Sequence, residues 1–181
     1  MIKNNHKILL RPISLADTDN IVKWRNTDFV KKNLYTQKEL TLEQHIEYYH
    51  RFIGTGKIAQ FIICFQNYDD NVDIGTTFLK NIDEYSKKAE FGIFIGEEDA
   101  IGKGFGKSAT RQTLDYAFSE LGLNRVYLSV FADNTSAIHA YQNSGFIIEG
   151  ILKQDFFRED GYADVVIMGI THDSWIIHKT R

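Results

Sequence analysis

Apolar and polar residues alternate along this chain with two periods, and the points where the period changes divide it into elements. Short runs that alternate, or are apolar throughout, predict strands at Lys7–Pro12, Lys57–Phe65, Val72–Leu79, Glu90–Ile95, Arg125–Phe131, Phe146–Phe157 and Tyr162–Thr171. Apolar residues three and four apart predict helices between them. One starts at Ser14 and runs to about Arg25, with Leu15, Ile21, Val22 and Trp24 on its apolar side. The next opens at Thr41, where Gln44 completes a capping-box spacing. It continues to about Phe52 and stops at the Gly54–Gly56 turn. A third spans Lys107–Leu121, presents Ala109, Leu114, Ala117, Phe118 and Leu121, and ends at Gly122. The last begins at Asn134, whose side chain can accept from first-turn N–H groups, and ends at Gly145. The polar cluster Gln66–Asn71 separates two strands, and Glu159–Gly161 reads as a hairpin turn between the last two.

The resulting order, β-α-α-β-β-β-α-β-α-β-β, is mixed α/β with no repeat and no low-complexity linker. At 181 residues and 43% hydrophobic, the chain reads as one domain, 1–181. A chain of this length buries ~70% of its unfolded surface. The pattern predicts a central sheet with helices on both faces.

Charge excludes some functions. With 21 basic and 24 acidic residues the net charge is −3, and no basic stripe marks a nucleic-acid partner. Cys64 is the only cysteine and lies in an apolar run. It reads as a core residue and fits a reducing, cytoplasmic setting. The segment Met1–Lys7 lacks a long apolar stretch, so neither a signal peptide nor a membrane span is expected. His45 and His50 are five apart and do not share a helix face; the other histidines lack ligand spacing, so no metal is expected.

The chemistry concentrates at Ile101–Lys107, between a strand and a helix. Gly102, Gly104 and Gly106 let backbone N–H groups converge on an anion where side chains would block it, and the helix N-terminus adds its dipole. A phosphate-bearing ligand is expected. A Walker-type loop ending in Gly106-Lys107-Ser108 would need glycine at position 101, which is Ile101. A dinucleotide fingerprint starting at Gly102 would need glycine at 107, which is Lys107. The remaining possibility is a turn that holds a pyrophosphate without a Walker lysine. A second motif follows the next strand: Asn134, Ala137, Tyr141, then Gly145 and Phe146, with Ala137 and Tyr141 on one helix face.

Together these segments resemble the GNAT superfamily of acetyl-CoA-dependent N-acetyltransferases, over about the last 120 residues and more loosely over the whole chain. The Trp24-Arg25-Asn26 triplet and the Gly161–Met168 run resemble the Rim-type, spermidine and amino-sugar subgroup. Two departures stand out: Ile101 replaces the usual Arg or Gln, and no proline precedes the turn.

The resemblance implies a mostly antiparallel sheet with a splayed central strand pair that takes the pantetheine arm. It implies cofactor contacts at Phe94 and Ile95, along Ile101, Gly102, Lys103, Gly104, Phe105, Gly106 and Lys107, and at Asn134, Ala137 and Tyr141. It makes Tyr141 the acid for the departing thiolate. A phenol of pKa ~10 stays protonated at rest, and the thiol it serves has a pKa of ~8.5. Glu90 is the candidate base, ahead of Glu149 and Asp164. Trp24, Arg25, Asn26 and Tyr35 are candidate acceptor contacts. The acceptor is expected to be a polyamine, an amino sugar or a protein N-terminus. A homodimer through the C-terminal hairpin is a further expectation. The alternative reading is a non-catalytic acetyl-CoA-binding protein.

Overall fold

The computed structural model describes residues 7–66, 71–158 and 161–180. The start of the chain, the centre of the Gln66–Asn71 cluster and Glu159-Asp160 lie outside the described residues. Seven strands form one sheet: β1 (Lys7–Pro12), β2 (Ala59–Gln66), β3 (Asn71–Asp83), β4 (Lys88–Ile95), β5 (Arg125–Phe131), β6 (Ile147–Arg158) and β7 (Gly161–Thr171). Their order is β1-β2-β3-β4-β5-β7-β6. Every pairing is antiparallel except β4 with β5, which is parallel.

Side-chain alternation gives the sheet two apolar faces. On one face Ala89 and Phe91 of β4 and Val126, Leu128 and Val130 of β5 share a core with Leu114, Ala117 and Phe118. These last come from α4 (Phe105–Asp115), which runs into a wider turn at Tyr116–Glu120. On the other face Ile62 and Cys64 of β2 pack with Ile21 and Trp24 of α1 (Thr18–Arg25), while Phe94 lies against them. The predicted helix from Thr41 is present as α3 (Leu42–Tyr48), continued by a wider turn at Tyr49–Ile53, and its capping box is formed in both directions. α5 (Thr135–Gln142) follows β5.

Two helices escape the sequence pattern. α2 (Asp28–Lys31) is a single turn, too short for a period to register. α6 (His172–Lys179) buries Trp175 but leaves Ile176 and Ile177 about half exposed, so its apolar stripe is narrow. β3 also runs past Leu79 to Asp83, because its hairpin with β4 continues beyond an irregularity after Lys80. α4 starts at Phe105, two residues before the predicted Lys107.

A polar clamp holds the entry to α1. Asp17, only 5% exposed, accepts from both Arg11 guanidinium nitrogens (2.6 and 2.9 Å) and from the Ser14 backbone N–H (2.8 Å). Burial alone would raise its pKa, but Arg11 and Ser14 outweigh burial and lower it. The folded value therefore lies below the unfolded one. The stabilisation is complete above the unfolded pKa of ~3.9 and is lost as pH falls through the folded value. Asp17→Asn should cost roughly 1–2 kcal/mol at neutral pH, because Arg11 stays partly open to solvent. Urea unfolding of both proteins checks this; the gap should shrink as the pH is taken down through the acid range.

Candidate active site

The site is the place where the sheet splits. β4 pairs with β5 only at Lys88–Arg125, Ala89–Val126 and Glu90–Tyr127. Past that rung β4 stays with β3 as far as Ile95, and β5 stays with β7 as far as Phe131, so the two halves part. The β5-facing edge of residues 91–95 then has no strand partner, and Phe94 and Ile95 lie along it, half-buried. A strand edge with free amides and carbonyls can take an extended amide-bearing chain as an added strand.

The glycine turn stands at the open end of the gap. Gly102 (φ 77°) and Gly104 (φ 81°) are left-handed, a conformation that L side chains resist. No side chain caps α4, and its first backbone bond runs from Ser108 N–H to Gly104 O (3.1 Å). Among the described residues the amides of 102–107 donate no hydrogen bond. A Cβ at Gly102, Gly104 or Gly106 would meet nothing within 4 Å, so the space in front of these amides is open. Phe105 turns back onto Phe65 (ring centroids 4.9 Å), while Ile101, Lys103 and Lys107 are exposed. Because the turn presents backbone, the identity of residue 101 matters little to it.

Opposite the turn lies the start of α5. Asn134 caps it as predicted, accepting from Ala137 N–H (3.2 Å), and donates to Asn33 Oδ1 (3.1 Å). Ile101, Asn134 and Ser136 line a cleft of about 900 Å³ between the two, with Lys31 and Lys32 on its wall. Further along α5, Tyr141 is half-buried and packs edge-on against Phe91 and Phe146, both at 6.0 Å. Its hydroxyl has no hydrogen-bond partner among the described residues. Burial pushes the phenol up to about 12, so it is protonated at neutral pH.

Glu90 sits on the opposite face of the sheet, at the last rung before the split. Lys80 Nζ (3.0 Å) and Asn81 Nδ2 (2.9 Å) both reach its carboxylate. Tyr127 and Tyr35 lie near enough to feel its charge; burial first, and Glu90 with it, raises both phenols. Tyr35 packs against Phe131 (5.0 Å) and Phe156 (5.2 Å), and Ser129 lies near enough to its phenol to oppose part of that rise. A phenol whose hydroxyl has no partner among the described residues and a paired carboxylate therefore flank the gap from opposite sides.

The Trp24-Arg25-Asn26 triplet divides. Trp24, expected at the acceptor, is 1% exposed; its indole donates to Glu97 (2.7 Å) and its ring fills the space beside Gly96, where a Cβ would come within 2.1 Å of it. It locks α1 onto the end of β4 and lines neither of the two clefts. Asn26, also expected at the acceptor, uses both ends of its amide on the backbone of Leu40 (2.8 Å each), which splints the segment that carries Tyr35. Arg25 does line a cleft, of about 1070 Å³, on the Glu90 face. His45, Tyr48, Lys57 and Lys80 line it too, and Phe94 joins it to the gap. The sequence pattern gave no pointer to Tyr48, Lys57 or Lys80, nor to Tyr127 and Ser129. Alternation along β5 could have flagged Tyr127, Ser129 and Phe131 as a second face. The weaker base candidates are engaged elsewhere: Glu149 pairs with Arg125, and Asp164 with Lys153 (2.7 Å). Among the described residues no group of His, Cys, Asp or Glu side chains could hold a metal, and no helix is long and apolar enough to cross a membrane.

Comparison with known proteins agrees with this geometry. The acetyltransferase (GNAT) domain family matches residues 7–147. Spermidine N(1)-acetyltransferase of Vibrio cholerae is 29% identical over 172 residues, covering 95% of this chain and 97% of that one. The crystal structure of the Vibrio cholerae spermidine N-acetyltransferase in complex with CoA and spermine superposes with a TM-score of 0.86. It is 28% identical and covers 93% of this chain and 98% of its own. A dodecameric structure of the Vibrio cholerae enzyme gives a TM-score of 0.79 at 27% identity, covering 93% of this chain and 96% of that one. The split sheet, the glycine turn and the family match agree: this chain belongs to the GNAT acetyltransferase domain family and is an acetyl-CoA-dependent N-acetyltransferase.

Proposed function

We propose that acetyl transfer takes place in the gap between β4 and β5, with Tyr141 on the thioester side and the amine arriving from the Glu90 and Tyr35 side. The observation that carries this reading is the phenol of Tyr141, which is protonated and has no hydrogen-bond partner among the described residues. The amides of 102–106 hold the pyrophosphate, and the free edge at Phe94 and Ile95 holds the pantetheine arm. An amide on that edge polarises the thioester carbonyl.

The amine must lose a proton before it attacks. With a pKa of ~10.4, neutralising it at pH 7 costs about 4.6 kcal/mol. Glu90 accepts that proton, directly or through water, once its contact with Lys80 loosens. On collapse of the tetrahedral intermediate the thiolate leaves toward Tyr141. Complete transfer from a phenol near 12 to a free thiolate of pKa ~8.5 would be uphill by several kcal/mol. Tyr141 therefore keeps its proton and acts by hydrogen-bonding the sulfur as its charge develops, while the proton that the nitrogen sheds as the amide forms reaches the departed thiolate by way of solvent.

The acceptor is a small-molecule primary amine. The spermidine acetyltransferase relatives, which span nearly the whole chain, support a polyamine. A polyamine calls for gathered carboxylates, however, and these are dispersed. Asp28 lines the other cleft, Glu39 stands at the rim, and Glu43 and Glu47 are exposed on α3. An amino sugar is the second reading, favoured by the cations Arg25, Lys38, Lys57 and Lys80 along the acceptor cleft, against Glu39 and Glu84.

CoA release measured across polyamines, nucleotide-linked amino sugars and peptides with free N-termini separates the three classes. Turnover with one class alone is expected. Tight acetyl-CoA binding without turnover on any would favour the non-catalytic alternative. A homodimer fits the edge strand β6, where Ile147, Ile151 and Phe157 are more than half exposed. Sedimentation at micromolar concentration should then give more than one chain per particle. Acetyl-CoA as donor and a single thiol accord with a cytoplasmic setting.

A further inference from the structure

The acceptor cleft contains a cation that the fold leaves without a counter-charge. Arg11, Arg125 and Arg158 each pair with a carboxylate. Arg25 has no ion-pair partner among the described residues. Its one hydrogen bond is a long one from Nη2 to the Thr36 carbonyl (3.3 Å), and its Nε is enclosed without an acceptor. A guanidinium has five N–H donors in a planar fork that matches an oxyanion; here Nε is closed off from water without an acceptor, which is costly, while the outer nitrogens remain open to the cleft. Burial accordingly lowers the Arg25 pKa, with only the Tyr48 phenol nearby to offset it.

A second group points the same way. His45 is 3% exposed, and its Nδ1 lies 3.1 Å from the Thr18 hydroxyl, while Nε2 is enclosed without a partner. If Thr18 donates to Nδ1, the ring proton sits on Nε2, which adds a neutral donor beside Arg25. Burial and the Arg25 charge both keep this histidine uncharged. Both groups line the same cleft, Lys57 stands at its edge, and the aromatic rings of Tyr48, Phe52 and Phe78 form an apolar wall beside them.

We propose that Arg25 and His45 form an oxyanion-binding subsite that takes a phosphate group of the acceptor, so that the acetylated amine belongs to a phosphate-bearing metabolite such as a nucleotide-linked amino sugar. The inference rests on the transferase reading above and deepens it. Phosphate answers the unmet donors in a bidentate geometry, the aromatic wall suits a flat ring, and Phe94 connects the cleft to the β4–β5 gap where the amine must sit. A volume of about 1070 Å³ has room for such a molecule. A polycation would instead meet an unpaired guanidinium and gain nothing from it.

The test uses protein saturated with CoA, so that the glycine turn cannot capture the probe. Calorimetric titration with inorganic pyrophosphate, UDP and ADP should show binding. Arg25→Met, which keeps the stem and removes the fork, should weaken it about 10- to 100-fold while CoA affinity holds. Lys57→Gln, at an exposed rim position that poses no risk to folding, should weaken it a few-fold. With a nucleotide-linked amino sugar as acceptor, Arg25→Met should raise KM far more than it changes kcat. The inference is overturned if no phosphate probe binds, if Arg25→Met binds them equally, or if citrate or spermine occupies the cleft in their place. Acetylation of spermidine at equal rates by wild type and Arg25→Met would overturn it while leaving the transferase reading intact; failure to bind acetyl-CoA would remove both.

Discussion

Tyr141→Phe is expected to lower kcat by about 10²-fold, at the lower end of what a positioned acid contributes, with little change in acetyl-CoA affinity. The reason lies in what the hydroxyl touches. The ring is held by Phe91 and Phe146, and phenylalanine keeps both contacts. The hydroxyl has no protein partner among the described residues, so removing it leaves no orphaned group behind. Thermal stability should therefore stay within about the ±0.5 kcal/mol of a neutral change. A large fall in stability would instead mean that the phenol serves the fold. Single-turnover kinetics with bound acetyl-CoA isolates the chemical step, and an unchanged rate there would remove Tyr141 as the hydrogen-bond donor to the departing sulfur. The pH profile adds a second readout. With its pKa raised to about 12, the phenol stays protonated through the working range. The rate should climb with pH as the amine loses its proton, without an alkaline fall caused by this residue. A fall that begins below neutral-to-mildly-alkaline pH and vanishes in the Phe variant would contradict the raised pKa.

Gly104→Val is expected to abolish measurable acetyl-CoA binding. Two effects act together. The residue has φ 81°, where an L side chain costs about 1–2 kcal/mol and a β-branched one more. Its Cβ would project into the open space before the free amides of 102–107. Losing two charge-assisted N–H contacts to a pyrophosphate is worth roughly 3–6 kcal/mol, or about 10²- to 10⁴-fold in affinity. Calorimetry with CoA measures this directly, and circular dichroism confirms that the variant folds. Gly104→Ala separates the two effects, since it carries the backbone strain with a smaller obstruction. Near-normal CoA affinity in the valine variant would mean that the pyrophosphate lies elsewhere.

Much of this site was legible in the chain because its chemistry is local. A turn that must expose backbone amides needs closely spaced glycines, and Gly102, Gly104 and Gly106 occupy alternate positions of one short segment. Asn134 caps the helix that it begins, and Tyr141 follows at a spacing that one helix face enforces. β5 was read to the residue, since an unbroken apolar alternation leaves few other registers. Helix starts were less legible. α4 begins at Phe105 because Gly104 can turn the chain without a side-chain cap, and no polar capping residue announced it. The short α2 and the narrow-striped α6 gave no periodic signal.

The acceptor side was far less legible, and the triplet Trp24-Arg25-Asn26 shows why. Three neighbours at the end of one short helix point to three environments: Trp24 into the core against Gly96, Arg25 into the cleft, and Asn26, the residue that caps the helix, onto the backbone of Leu40. Adjacent residues on a helix are about 100° apart, so a motif read as a unit is split by the packing around it. The sequence by itself determined the order of elements, the phosphate-holding turn and the identity of the phenol beside it, because each depends on residues within a few positions of one another. The tertiary structure alone decided where the sheet opens, that Tyr141 and Glu90 lie on opposite faces of the sheet beside that opening, and that Arg25 Nε and His45 Nε2 are enclosed without a partner among the described residues. Those facts depend on which strand keeps which partner and on what burial takes away from water, and both are settled by segments far apart in the chain.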